Sequence, residues 1–439
     1  MQKYKSFGIR NFRNIPQVQA RLSEEEKKEI EVIGAVLPFR TNNFIVDELI
    51  DWDNIPNDPM FQLTFPQKGM LIPEHFKQVS ALLWNYGSEK DVRYTVNNIR
   101  EQLNPHPSGQ MDYNVPFLDG QEVKGLQHKY EDTVLFFPSQ AQTCHAYCTY
   151  CFRWPQFIGN EELKFQTGEI DLLIRYLKRH PEVTDVLITG GDPMIMNVER
   201  LKQYIIPLLD SSVLPNLQTI RIGTKSLSYW PYKYTTDIES DDLMRLFETV
   251  VNANKNLAIM AHINHPVELR PGAVQEAIRR ILRTGAQIRT QAPVMNHINN
   301  SSKIWKDLWN EQVRLGCVPY YMFIARDTGA QNYFAVPLID ALRIFSKSYQ
   351  DISGLARTAR GPCMSTTPGK IQILGAADEG GESLLMLKFL RARRKEWTDK
   401  IFFAKYDDQS IWLDDLTPAS GFEHFFYEKD YSETLLNNR

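Results

Sequence analysis

The sequence predicts an α/β protein built around a parallel barrel or partial barrel of six strand–helix units. Three observations predict this. Short runs rich in Val, Ile and aromatic residues recur six times after about residue 128. Each is nearly continuous in apolarity, as strands buried on both faces are. Amphipathic segments of helical length separate them, and such alternation implies right-handed crossovers between parallel strands.

Taken in order, residues 1–127 read as a mostly helical N-terminal region. Ser23 followed by Glu24, Glu25 and Glu26 is a capping-box start with acids in the first turn. Residues 128–385 hold the barrel, with strands expected at 133–138, 183–189, 217–223, 257–263, 286–294 and 318–325. Ile170, Leu173, Ile174 and Leu177 share one helix face, with Thr167 as the expected N-cap. Further helices are expected over 197–209, 238–253, 272–284, 301–315 and 336–349, and Gly285 stops one of them. Residues 386–439 form a charged, aromatic C-terminal tail with hairpin character.

A hydrophobic content of 43% over 439 residues allows a large core and excludes disorder. The net charge of −3 argues against nucleic acid, which requires a basic stripe. The basic run Arg391, Arg393, Arg394 and Lys395 reads as a solvated helix face. The start has no apolar signal-peptide core and no uncharged run reaches membrane-spanning length, so a cytoplasmic protein without membrane contact is expected.

Five cysteines are too few, and an odd number, for a disulfide framework. Three of them, Cys144, Cys148 and Cys151, fall in one loop after the first barrel strand. Three thiolates from one loop suit three irons of a cubane cluster and leave the fourth iron open to a small molecule. The competing readings are a zinc site completed by His145 and plain core packing; zinc sites, however, usually pair two such halves, and no second half exists. Gly190, Gly191 and Asp192 end the second strand, where glycines admit close backbone approach and a carboxylate can hold an ammonium. Arg221 and His262 are expected near strand ends, where barrel sites form. Cys317 reads as core packing.

The cysteine spacing resembles the radical S-adenosylmethionine superfamily, and Tyr150 then matches the aromatic position that lies against adenine. The match narrows over HKYEDTVLF (128–136), the cysteine loop, LITGGD, RIGTK (221–225), NHP (264–266) and VPYY (318–321), with weaker similarity at IPNDPMFQL (55–63). Together these resemble the lysine 2,3-aminomutase family over more than half the chain. The resemblance implies an isomerase with a [4Fe–4S] cluster, S-adenosylmethionine and pyridoxal 5′-phosphate. It implies that Lys370, in Pro368-Gly369-Lys370, carries the pyridoxal cofactor as a Schiff base, and that Lys129 stands where the family has a cofactor-contacting arginine. It assigns Arg153 to the substrate α-carboxylate, and Gln291, Asp192 and the two glycines to the S-adenosylmethionine side.

The chain departs from lysine-specific members at two positions. Aligned without gaps, Arg326 and Cys363 replace two aspartates that hold a distant ammonium. A guanidinium opposes an ammonium and suits a carboxylate, so glutamate or aspartate is the expected substrate. Asp327, one residue along, restores an acid if the loop slips, which leaves lysine or a protein lysine as the alternative and a non-catalytic Fe–S protein as a third. The tail has no cysteine after Cys363, so the family's C-terminal zinc is not expected. A reductant such as flavodoxin or ferredoxin, and a homo-oligomer, complete the expected partners.

Overall fold

The computed structural model describes residues 2–85, 87–106, 114–159, 164–379 and 381–428. The N-terminal part holds the helices α1 (Glu24–Val36), α2 (Pro73–Trp84) and α3 (Glu89–Gln102). Ser23 caps α1 through the expected capping box with Glu26. A short ribbon pairs Ser6–Gly8 with Arg40–Asn42.

The rest is organised on one mixed sheet of 11 strands. Its strands are β1 (Leu126–Tyr130), β2 (Thr133–Phe136), β3 (Asp185–Ile188), β4 (Thr219–Thr224), β5 (Asn256–His262), β6 (Gln287–Val294), β7 (Val318–Ile324), β8 (Arg360–Ser365), β9 (Gly369–Glu379), β10 (Glu382–Ala392) and β11 (Ile401–Lys405). Spatial order follows chain order throughout. Strands β2 to β8 are parallel, while β1 and β9 to β11 pair antiparallel. The six strand runs read from sequence are β2 to β7. The sequence does not mark the edge strand β1 or the parallel strand β8, because neither carries a continuous apolar run.

Between the parallel strands lie α4 (Ile170–Arg179), α5 (Val198–Ile205), α6 (Ser240–Asn252), α7 (Gly272–Arg283), α8 (Ser302–Arg314) and α9 (Leu338–Gln350). Gly285 takes φ +85° just past α7, as a C′ residue does. Thr167 is not the cap of α4. Glu169 occupies that position, and the Thr167 hydroxyl accepts from the Glu169 amide in a local turn instead.

In β4 the residues Ile220, Ile222 and Thr224 are buried, while Thr219, Arg221 and Gly223 keep part of their area on the other face. That second face becomes an interior. Lys129 of β1 donates to the Ser365 hydroxyl of β8 at 3.2 Å, although seven strand positions separate them in the sheet. At about 4.8 Å per strand a flat sheet would hold them ~34 Å apart, so the sheet curls until β1 meets β8. Arg391 of β10 closes the same seam on Asp132, and Lys395 reaches Glu131 at 3.1 Å.

The basic run is therefore not a helix face. Arg391 lies in β10, half-buried, with its guanidinium 4.9 Å from the Tyr130 ring. The tail hairpin forms, as β10 paired with β11, but it extends the main sheet, and position 385 falls inside β10. Cys317 and Cys363 are both buried. Among the described residues no helix is long and apolar enough to cross a membrane.

Candidate active site

The cysteine loop follows β2 and a single 3-10 turn, Ser139–Ala141. It is held from below by the N-terminal segment. Arg40 donates to the Thr143 hydroxyl at 2.6 Å and to the Cys144 carbonyl, and stacks over Tyr147. Tyr4 and Asn42 donate to the His145 carbonyl, and Thr149 binds the backbone of Gln62 and Leu63. Sequence reasoning missed these anchors, because nothing local marks Arg40 or Tyr4 as partners of residues a hundred positions away.

Cys144, Cys148 and Cys151 are all free and half-buried. Burial raises each thiol, Cys151 to about 12; Asp192 and then the other two thiols raise Cys144 further, and Cys148 raises Cys151. A metal that binds them would release those protons. His145 turns inward and is held to about 3 by burial, then by Lys233 and Arg40.

The Gly190–Gly191 turn packs on this loop. A Cβ on Gly191 would lie 2.5 Å from the Thr143 carbonyl oxygen, and one on Gly190 would lie 2.7 Å from the Gln142 amide nitrogen; Gly190 also has φ +151°. The glycines thus admit backbone against backbone. The Asp192 carboxylate is buried and fully engaged: it accepts from the Thr224 hydroxyl and from the amides of Met194, Lys225 and Ser226. Asp192 ties the ends of β3 and β4 to the stem of the cysteine loop, where its own amide donates to Ala141 and Thr143.

Tyr150 reaches across to the end of β5. Its hydroxyl lies 3.0 Å from His262 Nδ1 and donates to Asn264 at 3.1 Å. Burial, then Lys225, holds His262 to about 3, so it is neutral. Gln291 of β6 is in register with His262 on one side and Tyr321 on the other. Arg221 differs from expectation. It is the third residue of β4, away from the strand end, and its Nε donates to Asp185 at 2.7 Å.

The remaining candidates converge on the same interior. Lys370, at the start of β9, places its Nζ 3.8 Å from the Tyr321 ring centre. Protein surrounds the amine although part of its area stays open to the interior. Burial lowers it from 10.5 to about 7, with Arg221, Arg360 and Arg391 adding repulsion. Lys129 is lowered well below the usual lysine value by burial, then by Arg326, Lys370 and Arg393. Arg153 lies over Phe137 at 4.3 Å; its Nε and one terminal nitrogen are buried with no partner among the described residues. The Tyr130 hydroxyl, which sequence reading passed over, is likewise buried without a partner beside these cations.

Arg326 and Asp327 point in different directions. The Arg326 guanidinium lies 5.0 Å from the Phe152 ring, and its charge acts on Arg153 and Lys129. Asp327 turns to His106, at 3.6 Å.

The residues fit the implied groups. Three thiols of one loop, none in a disulfide, suit a cluster. A half-neutral lysine suits imine formation with an aldehyde. The unpartnered guanidinium of Arg153 and the excess of cations suit carboxylate and phosphate ligands.

No family model matches the chain. A protein of Aquifex aeolicus (strain VF5), provisionally named an L-lysine 2,3-aminomutase, is 30% identical over 397 residues, covering 90% of this chain and 92% of its own length. The chain belongs to the lysine 2,3-aminomutase family. The L-lysine 2,3-aminomutase of Bacillus subtilis (strain 168) is 26% identical over 70% of this chain and 67% of its own. The glutamate 2,3-aminomutase of Clostridioides difficile (strain 630) is 24% identical over 66% and 61%. Membership makes the chain an isomerase of the radical S-adenosylmethionine type. The family's cofactors are the [4Fe–4S] cluster, S-adenosylmethionine and pyridoxal phosphate read from the sequence.

Proposed function

We propose that this aminomutase moves the α-amino group of an acidic amino acid, glutamate or aspartate, to the β-carbon. The catalytic unit is the partial barrel from β1 to β10 with the helices between its strands, set between the N-terminal region and the rest of the tail. The supporting observation is the outward turn of Asp327, which leaves Arg326 as the charge beside Arg153. A substrate with two carboxylates meets a cation at each end, while a lysine side chain would meet a guanidinium.

Cys144, Cys148 and Cys151 would hold the cluster, Lys370 the pyridoxal cofactor, and Lys129 its phosphate. When bound, these groups supply a carbon-centred radical and a π-bond that carries nitrogen. The chain's residues do the rest. Arg153 fixes the α-carboxylate, and so the direction of the β-hydrogen, by a bidentate grip. Arg326 holds the distal carboxylate. Tyr150, neutral His262 and Gln291 line the nucleoside side, with Asp192 and the two glycines keeping the cysteine loop in register. Arg221, paired with Asp185, raises the positive potential that keeps Lys370 neutral and nucleophilic.

Lysine is the second reading, favoured by the names of the Aquifex aeolicus and Bacillus subtilis relatives. Anaerobic turnover of a panel of α-amino acids separates the two. We expect β-glutamate or β-aspartate and no β-lysine; β-lysine alone overturns the acidic assignment.

A further inference from the structure

Three side chains from distant parts of the chain meet outside the interior just described. His106 follows the N-terminal helices, Asp327 opens the loop after β7, and Asp414 lies in the 3-10 turn Leu413–Asp415 of the tail. His106 Nε2 is 3.6 Å from an oxygen of each aspartate, and the three ligand atoms lie within 4.8 Å of one another. An imidazolium bridging two carboxylates would close to about 2.8 Å. These distances are too long for that, and among the described residues neither carboxylate accepts a hydrogen bond. They are close to the separation of about 3.3 Å between neighbouring ligands on an ion with bonds of about 2.0–2.1 Å.

We propose that His106, Asp327 and Asp414 bind a divalent transition-metal ion, with the open positions filled by water. One imidazole and two carboxylates form a borderline donor set, suited to Zn²⁺ or Mn²⁺ rather than to Cu(I) or Ca²⁺. The site is separate from the cysteine loop and lacks thiols. It has a structural consequence. The loop after β7 is already held by Leu103, whose carbonyl accepts from the Thr328 hydroxyl and the Gly329 amide, and by Trp154, which donates to Thr328. A metal ion adds the tail to this clamp and fixes the residue next to Arg326.

The test uses cluster-loaded protein, stripped of loose metal by a chelator and then equilibrated anaerobically with Zn²⁺ alone. The wild type should retain one zinc per chain more than His106→Gln or Asp414→Asn, at equal iron content. Zinc should raise the unfolding temperature of the wild type and leave both variants unmoved. Both side chains are largely exposed, so the variants keep the fold, and equal iron content verifies it. Equal zinc in wild type and in Asp414→Asn overturns the proposal. The readout does not depend on the substrate assignment.

Discussion

Replacing Lys370 by methionine in cofactor-free protein should stabilise it at neutral and acidic pH. The folded chain releases the Lys370 proton at about 7, whereas an ordinary lysine holds it to 10.5. Each pH unit between the two values is worth about 1.4 kcal/mol. Burial of the ammonium therefore costs at most about 5 kcal/mol, and about 3 kcal/mol once water in the interior screens it. The unfolded chain binds more protons than the folded chain between these two values, so wild-type stability rises with pH across that window. Methionine has similar length and no charge, and removes the dependence. Urea unfolding of the two proteins at pH 6, 8 and 10 measures the difference. The variant should be more stable by about 3–5 kcal/mol at pH 6, with the gap shrinking toward pH 10. A variant that is no more stable at pH 6, or a gap that widens with pH, refutes the picture of an amine held neutral by its surroundings.

Three further outcomes are expected. Arg326→Gln should remove a favourable charge pair at the distal carboxylate; at about 4 Å and an effective dielectric of about 20 this is ~4 kcal/mol, or ~10³-fold in kcat/KM for glutamate, with lysine turnover improving. Unchanged relative kcat/KM values would remove Arg326 from the substrate site. Gly191→Ala should place a methyl 2.5 Å from the Thr143 carbonyl, where backbone cannot yield, lowering the unfolding temperature and the iron bound per chain; wild-type iron content would contradict the close packing. Cys148→Ala should abolish cleavage of S-adenosylmethionine, scored as 5′-deoxyadenosine released under reducing conditions, and residual cleavage at the wild-type rate would dismiss the cluster assignment.

Much of the sheet was legible because its central strands are short apolar runs bounded by turns, and β2 to β7 appear where Val, Ile and aromatic residues cluster. The edges were less legible. Strand β1 carries Gln127, His128 and Lys129, and β8 carries Arg360, Gly361 and Pro362, so neither has the composition of a buried strand. The cysteine loop could be read because metal chemistry fixes its spacing. The meaning of Gly190 and Gly191 could not, since a glycine opening toward a ligand and one opening toward the Thr143 backbone look alike in one dimension. The same holds for Asp192, whose four donors come from two segments, Met194 beside it and Thr224 to Ser226 at the end of β4. Whether Arg326 or Asp327 faces the interior depended on the partner of Asp327, His106, which lies on the far side of the chain. Thr167 and Glu169 show how a local hydrogen bond can displace a cap by two residues.

The anchoring of the cysteine loop has a consequence for how the protein matures. Tyr4, Arg40, Asn42 and Gln62 leave the ribosome before the three thiols, while the Asp192 tether and the Cys148 contact with Tyr229 follow them. On the proposed assignment of the three thiols to the cluster, their surroundings are complete only after about residue 229 has emerged and folded back. Iron delivery would then follow translation of that segment, and a nascent chain halted earlier would display three loose thiols to any oxidant nearby.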